Sequence, residues 1–228
     1  MEQIIRQQER IANNLANVNT PGYKKARLFV EALQERINAE GSPESVRQLI
    51  PFTDFTQGPL ERTGNPLDLA LEGEGFFVLA DEEGNRIYSR SSTFTLSPEG
   101  YVQTPQGLVL QGTDGPIQLP PDATAFEVTQ DGRVVVNGQT LSQIEVVRFE
   151  QPQNLERRGD SAFVATDQEP LEMDSPLIKQ GYIETSNVNP MQEMTDLLAH
   201  LRLFESQQKV IQTQDQILGR VTRELGKL

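Results

Sequence analysis

The sequence predicts an α+β protein in which N- and C-terminal α-helices pair as a coiled-coil-like stalk, with a central antiparallel β-rich domain between them. Three observations predict it. Apolar residues recur at helical spacing at both chain ends, hairpin-turn dipeptides punctuate the middle, and stretches rich in Pro and Gly separate these regions. The organisation expected is an N-terminal helical segment over 1–40, an extended connector over 41–66, a β-rich domain over 67–180 and a C-terminal helix over 181–228 that pairs with the first.

The first helix is read over residues 2–19, where Ile4, Ile11, Leu15 and Val18 share one face and Asn13, Asn14 and Asn17 fill the others. Thr20-Pro21-Gly22 ends it, because Pro21 disfavours helical geometry at Thr20 and Gly22 permits a turn. A neutral amide donates and accepts without the desolvation cost of a charge, so Asn13, Asn14, Asn17 and Asn19 are expected to face other protein surfaces. The segment KKARLFVEALQERINAE, residues 24–40, reads as a second short helix. Beyond it Pro43, Pro51, Gly58-Pro59, Gly64 and Pro66 break any periodicity and give the connector.

In the central region, FFVLADEEGNRIYSR reads strand, turn over Asp81–Asn85, strand; Ser97-Pro98-Glu99-Gly100 marks a second turn. Asp131-Gly132 and Asn137-Gly138 are both strong hairpin signals. After GYIETSNVNP the helical period returns. Asn189 is placed to cap, Pro190 sits at the first helical position, and Gln192 stands where a capping-box partner belongs. Met194, Leu197, Leu201, Phe204, Ile211, Leu218 and Leu225 form a narrow seam, with Gln208 and Asp215 in two of its slots, as Gln8 stands between Ile4 and Ile11.

The charge balance narrows the function classes. With 20 Lys and Arg against 33 Asp and Glu, the net charge of -13 repels phosphate backbones, and no nucleic-acid partner is expected. The absence of cysteine removes disulfides, thiolate metal sites and cysteine nucleophiles. No stretch reaches the ~18 apolar residues of a membrane span, so no membrane insertion is expected. The opening MEQIIRQQER has no apolar run of signal-peptide length, which points to the cytoplasm or to export without a cleaved signal.

Catalytic and metal chemistry finds no foothold. His200, the one histidine, has no HExxH spacing and reads as an exposed or partly covered helix residue. Glu72, Glu74, Asp81, Glu82 and Glu83 lack the spacing of a calcium loop and read as a solvated turn. GEGF, Gly73–Phe76, lacks the third glycine of a dinucleotide fingerprint and reads as a bend entering a strand. No catalytic residue, metal ligand or cofactor is assigned.

The stretch IANNLANVNTPGYKK, residues 11–25, resembles the N-terminal signature of the flagellar basal-body rod and hook family. Further matches follow in order: GNPLDLALEGEGFFVL with YSRSSTFTLSPEGYVQTPQGLVLQG, then GPIQLP, then QGYIETSNVNPMQEMTDLLAHLRLFESQQKVIQTQDQ. The resemblance implies a structural rod subunit and no enzyme: terminal helices form the inner tube of a hollow rod, the β-rich middle an outer layer, and the polymer transmits torque from motor to hook. It implies as partners copies of itself, other rod and hook proteins and the flagellar type III export apparatus, and a place in the periplasmic rod of the basal body. Ile11, Asn13, Asn14, Leu15, Asn17, Val18, Asn187, Asn189, Met194, Leu197, Leu201, Phe204, Ile211 and Leu218 are the assembly-interface candidates. Phe29 and Leu33, in FVEAL, resemble the Phe-x-x-x-apolar motif that early flagellar substrates present to the export gate. Arg202–Glu205, RLFE, is closer to proximal-rod members, whereas GYIETSNVN is at least as close to distal-rod members. Members of the family usually carry a further helix-length of residues ahead of the Ala12–Leu15 motif, so either the start lies upstream or the tube helix is short. Two other readings stand beside this one: a secreted β-rich binding module with coiled-coil ends, and a rod-associated cell-wall hydrolase.

Overall fold

The strand Phe76–Ala80 organises the β region, because its alternate side chains enter two different cores. Phe77 and Leu79 join Leu69, Phe94, Leu110, Val134, Ile144 and Ile178 on one side. Phe76 and Val78 join Tyr88, Val147, Phe149 and Phe163 on the other. A strand buried on both faces reads as a continuous apolar run, which is what FFVLA is. In the second core the rings of Phe55, Phe76, Phe149 and Phe163 meet edge to face at 5.0–6.1 Å, the geometry that ring quadrupoles favour.

The structure is a computed structural model that describes residues 2–32, 36–37, 43–44, 47–123, 125–159, 161–173 and 175–225, with side chains over 5–28, 52–123, 125–159, 161–173 and 175–219. It divides into two compact units. The β unit comprises Asn17–Arg27 and Pro51–Val188; the helical unit comprises Met1–Ala16, Leu28–Ile50 and Asn189–Leu228.

Within the β unit, Phe76–Ala80 pairs antiparallel with Arg86–Ser89 along one edge. Its other edge is shared by Val109–Gly112 and Val146–Arg148. These belong to a ten-stranded sheet among the described residues. The predicted turns close as their chemistry requires. Asp81 Oδ1 accepts from the amides of Glu83 and Asn85 at 3.1 and 2.8 Å and holds the first hairpin. Asn137 and Gly138 both have positive φ, 51° and 82°, and link Arg133–Val136 to Gln139–Gln143, as an Asn-Gly turn does. Two further pairs bring the C-terminal part of the unit back: Leu177–Gln180 against Leu69–Glu72, and Tyr182–Glu184 against Leu60–Arg62.

The helical unit corrects the expected coiled-coil-like stalk. Helix α1 is Glu2–Ala16, 15 residues, and helix α2 is Pro190–Leu225, 36 residues, so α1 reaches about 22 Å and α2 about 54 Å at the ordinary rise per residue. Most of α2 therefore has no length of α1 to pair with. The described contact between them is also polar: Glu193 is fully buried, Asn14 Nδ2 donates to its Oε2 at 3.3 Å, and Arg10 approaches the same oxygen at 3.9 Å. Coiled-coil seams bury apolar residues there instead. The overall α+β class stands, with two helices and a β-rich middle among the described residues.

The expected second helix over 24–40 is also replaced. Ala26–Ala32 is a strand and pairs with Arg47–Thr53; the remainder, 33–35 and 38–40, lies outside the described residues. Phe29 and Val30 are strand formers, and pairing of Ala26–Ala32 with Arg47–Thr53 overrides the helix read from the single segment.

Because Phe77 is fully buried in the larger core, Phe77→Ala should lower the unfolding free energy by about 3–5 kcal/mol, whereas Leu141→Ala, at 43% exposure, should change it by less than about 1 kcal/mol. Urea denaturation of the two variants measures the contrast.

Candidate functional site

Three charged side chains lie out of water at the place where the two ends of the β unit meet. Lys24, Glu184 and Arg90 are 1%, 1% and 3% exposed. Lys24 arrives on the turn that ends the N-terminal segment. In that turn Thr20 N donates to Asn17 O at 3.2 Å, Thr20 Oγ1 donates to Asn17 Oδ1 at 3.0 Å, and Tyr23 N donates to Thr20 O at 3.2 Å. Gly22 has φ +70°, and a Cβ there would lie 2.2 Å from the carbonyl oxygen of Arg90, so backbone conformation and close approach both demand glycine.

Glu184 sits at the end of Tyr182–Glu184. Its Oε1 accepts from Lys24 Nζ at 2.6 Å and from the amide of Gly58 at 3.0 Å, while Arg90 Nε lies 3.1 Å from its Oε2 as a close charge contact. The backbone of Glu184 is tied as well: its N–H donates to Ser92 Oγ at 2.8 Å and its carbonyl accepts from Gly22 N at 2.8 Å. Gly58 leaves the same room: a Cβ on it would stand 2.0 Å from Thr185 O.

The rest of the cluster satisfies the cations. Arg90 NH1 and NH2 donate to Gly75 O at 2.8 Å and Gly73 O at 2.7 Å, so the GEGF bend presents carbonyls to a guanidinium. Lys24 Nζ also donates to Thr56 O at 2.9 Å. Burial pushes the Lys24 ammonium below the ordinary lysine range, against the raising pull of Glu184 and with the help of Arg90. Burial likewise lowers Arg90, which Glu184 opposes. A depressed base is carried at a cost in the folded chain at neutral pH, and the hydrogen bonds around it offset that cost.

A second layer repeats the pattern. Asn187 Oδ1 accepts from the Lys25 amide at 2.7 Å, and its Nδ2 donates to Asp54 O at 2.8 Å and Thr56 O at 3.0 Å. The Arg157 guanidinium lies 4.8 Å from the Tyr23 ring centroid and donates to Lys24 O, and Ser161 Oγ donates to Pro21 O at 3.2 Å. Burial tends to raise the Asp54 carboxyl, but hydrogen bonds from the Thr56 hydroxyl and amide, then Arg27 at 2.7 Å and Lys24, hold it below its ordinary value.

The interface candidates separate into three groups. Ile11 and Asn14 are already covered within the chain, and Leu15, Asn17, Val18 and Asn187 are half-buried. Leu197, Leu201 and Phe204 are half-buried on α2, as is His200. Asn13, Asn189, Met194, Ile211 and Leu218 are exposed. Asn189 caps α2 as expected, accepting from Met191 N at 3.1 Å and Gln192 N at 3.3 Å. The reciprocal half of a capping box is not made, since Gln192 Nε2 donates forward to Asp196 at 2.9 Å. Phe29 has its backbone in Ala26–Ala32, but its side chain, like Leu33, lies outside the described residues. Lys24, Arg90 and Glu184 were not singled out by sequence reasoning, although each stands inside a quoted motif.

Comparison with known proteins fits this geometry. Residues 3–24 match the family described as flagella basal body rod protein, residues 70–136 the flagellar hook protein FlgE/F/G D1 domain, and residues 179–224 the flagellar basal body rod FlgEFG protein C-terminal. The chain is 32% identical to the flagellar basal-body rod protein FlgG of Agrobacterium fabrum, over 95% of this chain and 93% of that protein. The chain belongs to the flagellar basal-body rod protein family. Identity is also 32% to the rod protein FlgF of Caulobacter vibrioides, over 96% and 91% of the two chains, and 31% to FlgF of Salmonella typhimurium, over 98% and 94%. Each stretch matched to the rod family supplies one member of the charge cluster: Lys24 from the first, Arg90 from the second, Glu184 from the third.

Three outcomes follow for this rod-family chain. Glu184→Gln removes the nearest counter-charge of two buried cations and should cost about 3–5 kcal/mol in chemical denaturation; Gly22→Ala should cost more than Gly84→Ala, because Gly84 shares a positive φ but has open space around its Cβ position. Asp54, depressed in the fold, contributes stability above its ordinary value of 3.8 that is withdrawn as pH falls through the depressed value. Asp54→Asn should therefore flatten the acid limb of a stability-against-pH curve below about pH 4.

Proposed function

We propose that this chain is a structural subunit of the bacterial flagellar basal-body rod, assembling with copies of itself and with other rod and hook proteins into a hollow shaft that carries torque from motor to hook. On this reading it works mechanically and catalyses no reaction. It leaves the cytoplasm through the flagellar type III export apparatus without a cleaved signal, with Phe29 and Leu33 as the gate-facing pair, and takes its place in the periplasmic part of the basal body.

The observation that carries the reading is the surface of α2. Leu198, Leu203, Val210, Ile211, Ile217 and Leu218 are 42–62% exposed on the helix. Leu203, Val210 and Ile217 repeat every seven residues, and Phe204, Ile211 and Leu218 form an adjacent row. Two adjacent rows make an apolar stripe wider than one helix contact needs, and residues 208–219 are exposed along the whole of that length. Contact with more than one neighbouring subunit accounts for both the width and the exposure. Heterologous contacts of this kind do not close on themselves and propagate as a helical polymer.

The test is complementation of a non-motile strain lacking the chain. Ile211→Asp with Leu218→Asp should leave the thermal unfolding of the β unit unchanged but abolish incorporation into basal bodies and swimming. Glu99→Ala, in an exposed turn, should restore both. Normal swimming with the double aspartate variant would overturn the assignment of this stripe to assembly.

A further inference from the structure

The charge cluster joins parts of the chain that are far apart in sequence. Lys24 and Glu184 are separated by 160 positions, and Glu184 reaches Ser92 across 92 and Gly58 across 126. Two cations meet one carboxylate, and all three are almost fully out of water. The side chain that makes burial of the cations tolerable is thus the one that lies latest in the chain.

From this we infer that the β unit is closed by a two-ended latch: the N-terminal turn Thr20–Lys25 and the C-terminal stretch Gly181–Asn187 dock as one cooperative event, onto a socket formed by Arg90 and the Gly58 and Gly73–Gly75 loops. The inference goes beyond the rod reading and does not depend on it. Without Glu184 in place, Lys24 and Arg90 face each other with only the weaker pulls of Asp54 on Lys24 and Glu74 on Arg90 left to compensate them, and the Gly58 amide loses its acceptor. A buried charge without a partner is far more costly than the same group hydrated, so the favoured alternative keeps the N-terminal turn undocked. Conversely, without Lys24 the Glu184 carboxylate loses its 2.6 Å donor.

Asn187 adds an independent tie between the same two stretches. Its side chain holds the Lys25 amide and the carbonyls of Asp54 and Thr56, so the ends are coupled by neutral hydrogen bonds as well as by charge. The strand pairs Leu177–Gln180 with Leu69–Glu72 and Tyr182–Glu184 with Leu60–Arg62 form on the same return of the chain. A chain whose residues beyond about 180 are still occupied elsewhere, by a ribosome, a channel or a chaperone, therefore keeps both of its terminal stretches undocked. The hairpin pair Arg133–Val136 and Gln139–Gln143 lies at a distance in sequence from both ends, and its strands pair with each other and with Phe126–Val128, with a further backbone bond from Thr113 N to Gln143 O.

Residue-resolved hydrogen exchange on the full-length chain tests the latch. In Glu184→Gln, amides of 22–25 and 181–187 should both exchange at least tenfold faster than in the parent chain and by a similar factor, while the hairpin amides of 133–143 stay measurably protected. Lys24→Met should speed exchange at 181–187, and the double variant Lys24→Met/Glu184→Gln should speed it little beyond either single change. Asn187→Ala, a milder lesion, should loosen the same two stretches together. Loss confined to 181–187 in the glutamine and alanine variants, with 22–25 unchanged, would overturn the coupling. Loss of hairpin protection together with the latch in both variants would overturn it too, because the whole unit would then open as one. Additive effects in the double variant count against it equally.

Discussion

Glu184 brings one negative charge into a place where two cations have already left water, and the β unit depends on that meeting. Neither a lysine nor an arginine is buried without a partner, and here the two share one. The remaining donors find backbone carbonyls at Gly73, Gly75 and Thr56, so the cluster is polar but largely hydrogen-bonded. That arrangement is a weak way to gain stability and a strong way to fix register, since only one docking of each chain end satisfies all of these groups at once. It also explains why small residues stand beside large charges. Gly22 and Gly58 let backbone approach backbone where a Cβ would collide with Arg90 O or Thr185 O, and that approach is what excludes water from the charges.

The same economy of polar groups explains the amides of α1. Asn14 is buried against Glu193, and Asn17 ties the turn through Thr20. A charge at Asn14 would face a buried carboxylate already near Arg10; a neutral amide can donate to it without adding a second desolvation cost. Amides at Asn14 and Asn17 thus serve contacts inside the chain.

What was legible in the sequence was what local chemistry decides. Asn137-Gly138 needs positive φ at both positions and forms the turn its residues permit; Asp81 accepts from the amides two and four residues on; Asn189 caps the helix that Pro190 begins. The family resemblance rested on motifs that the matched stretches cover in large part. What could not be read was what distant partners decide. Lys24, Arg90 and Glu184 sit in ordinary contexts, a Lys-Lys pair, a Ser-Arg-Ser-Ser run and an Ile-Glu-Thr strand, and nothing within a few residues of any one reveals the other two. The strand Ala26–Ala32 was missed for the same reason, because its partner is Arg47–Thr53 and single-segment propensity does not see a partner. The stalk failed on a different count: a seam spacing in two segments shows that each wants a neighbour, not that either can cover the other, and α1, at 15 residues, meets α2, at 36, through a buried polar contact.

That last distinction separates the two units energetically. The β unit pairs the buried charges of Lys24, Arg90 and Glu184, and covers both faces of Phe76–Ala80, from its own chain. Helix α2 does the reverse. Its outer length leaves Val210, Ile211, Ile217 and Leu218 exposed, each forgoing part of the roughly 1.5–3 kcal/mol that full burial of such a side chain provides. A long helix with an uncovered apolar stripe gains more from a second molecule than from any rearrangement within its own 36 residues, since a helix cannot cover itself. Association therefore draws on a reservoir that folding of the β unit leaves untouched. A subunit built this way can close one part of its structure alone and still hold in reserve the driving force for joining the next.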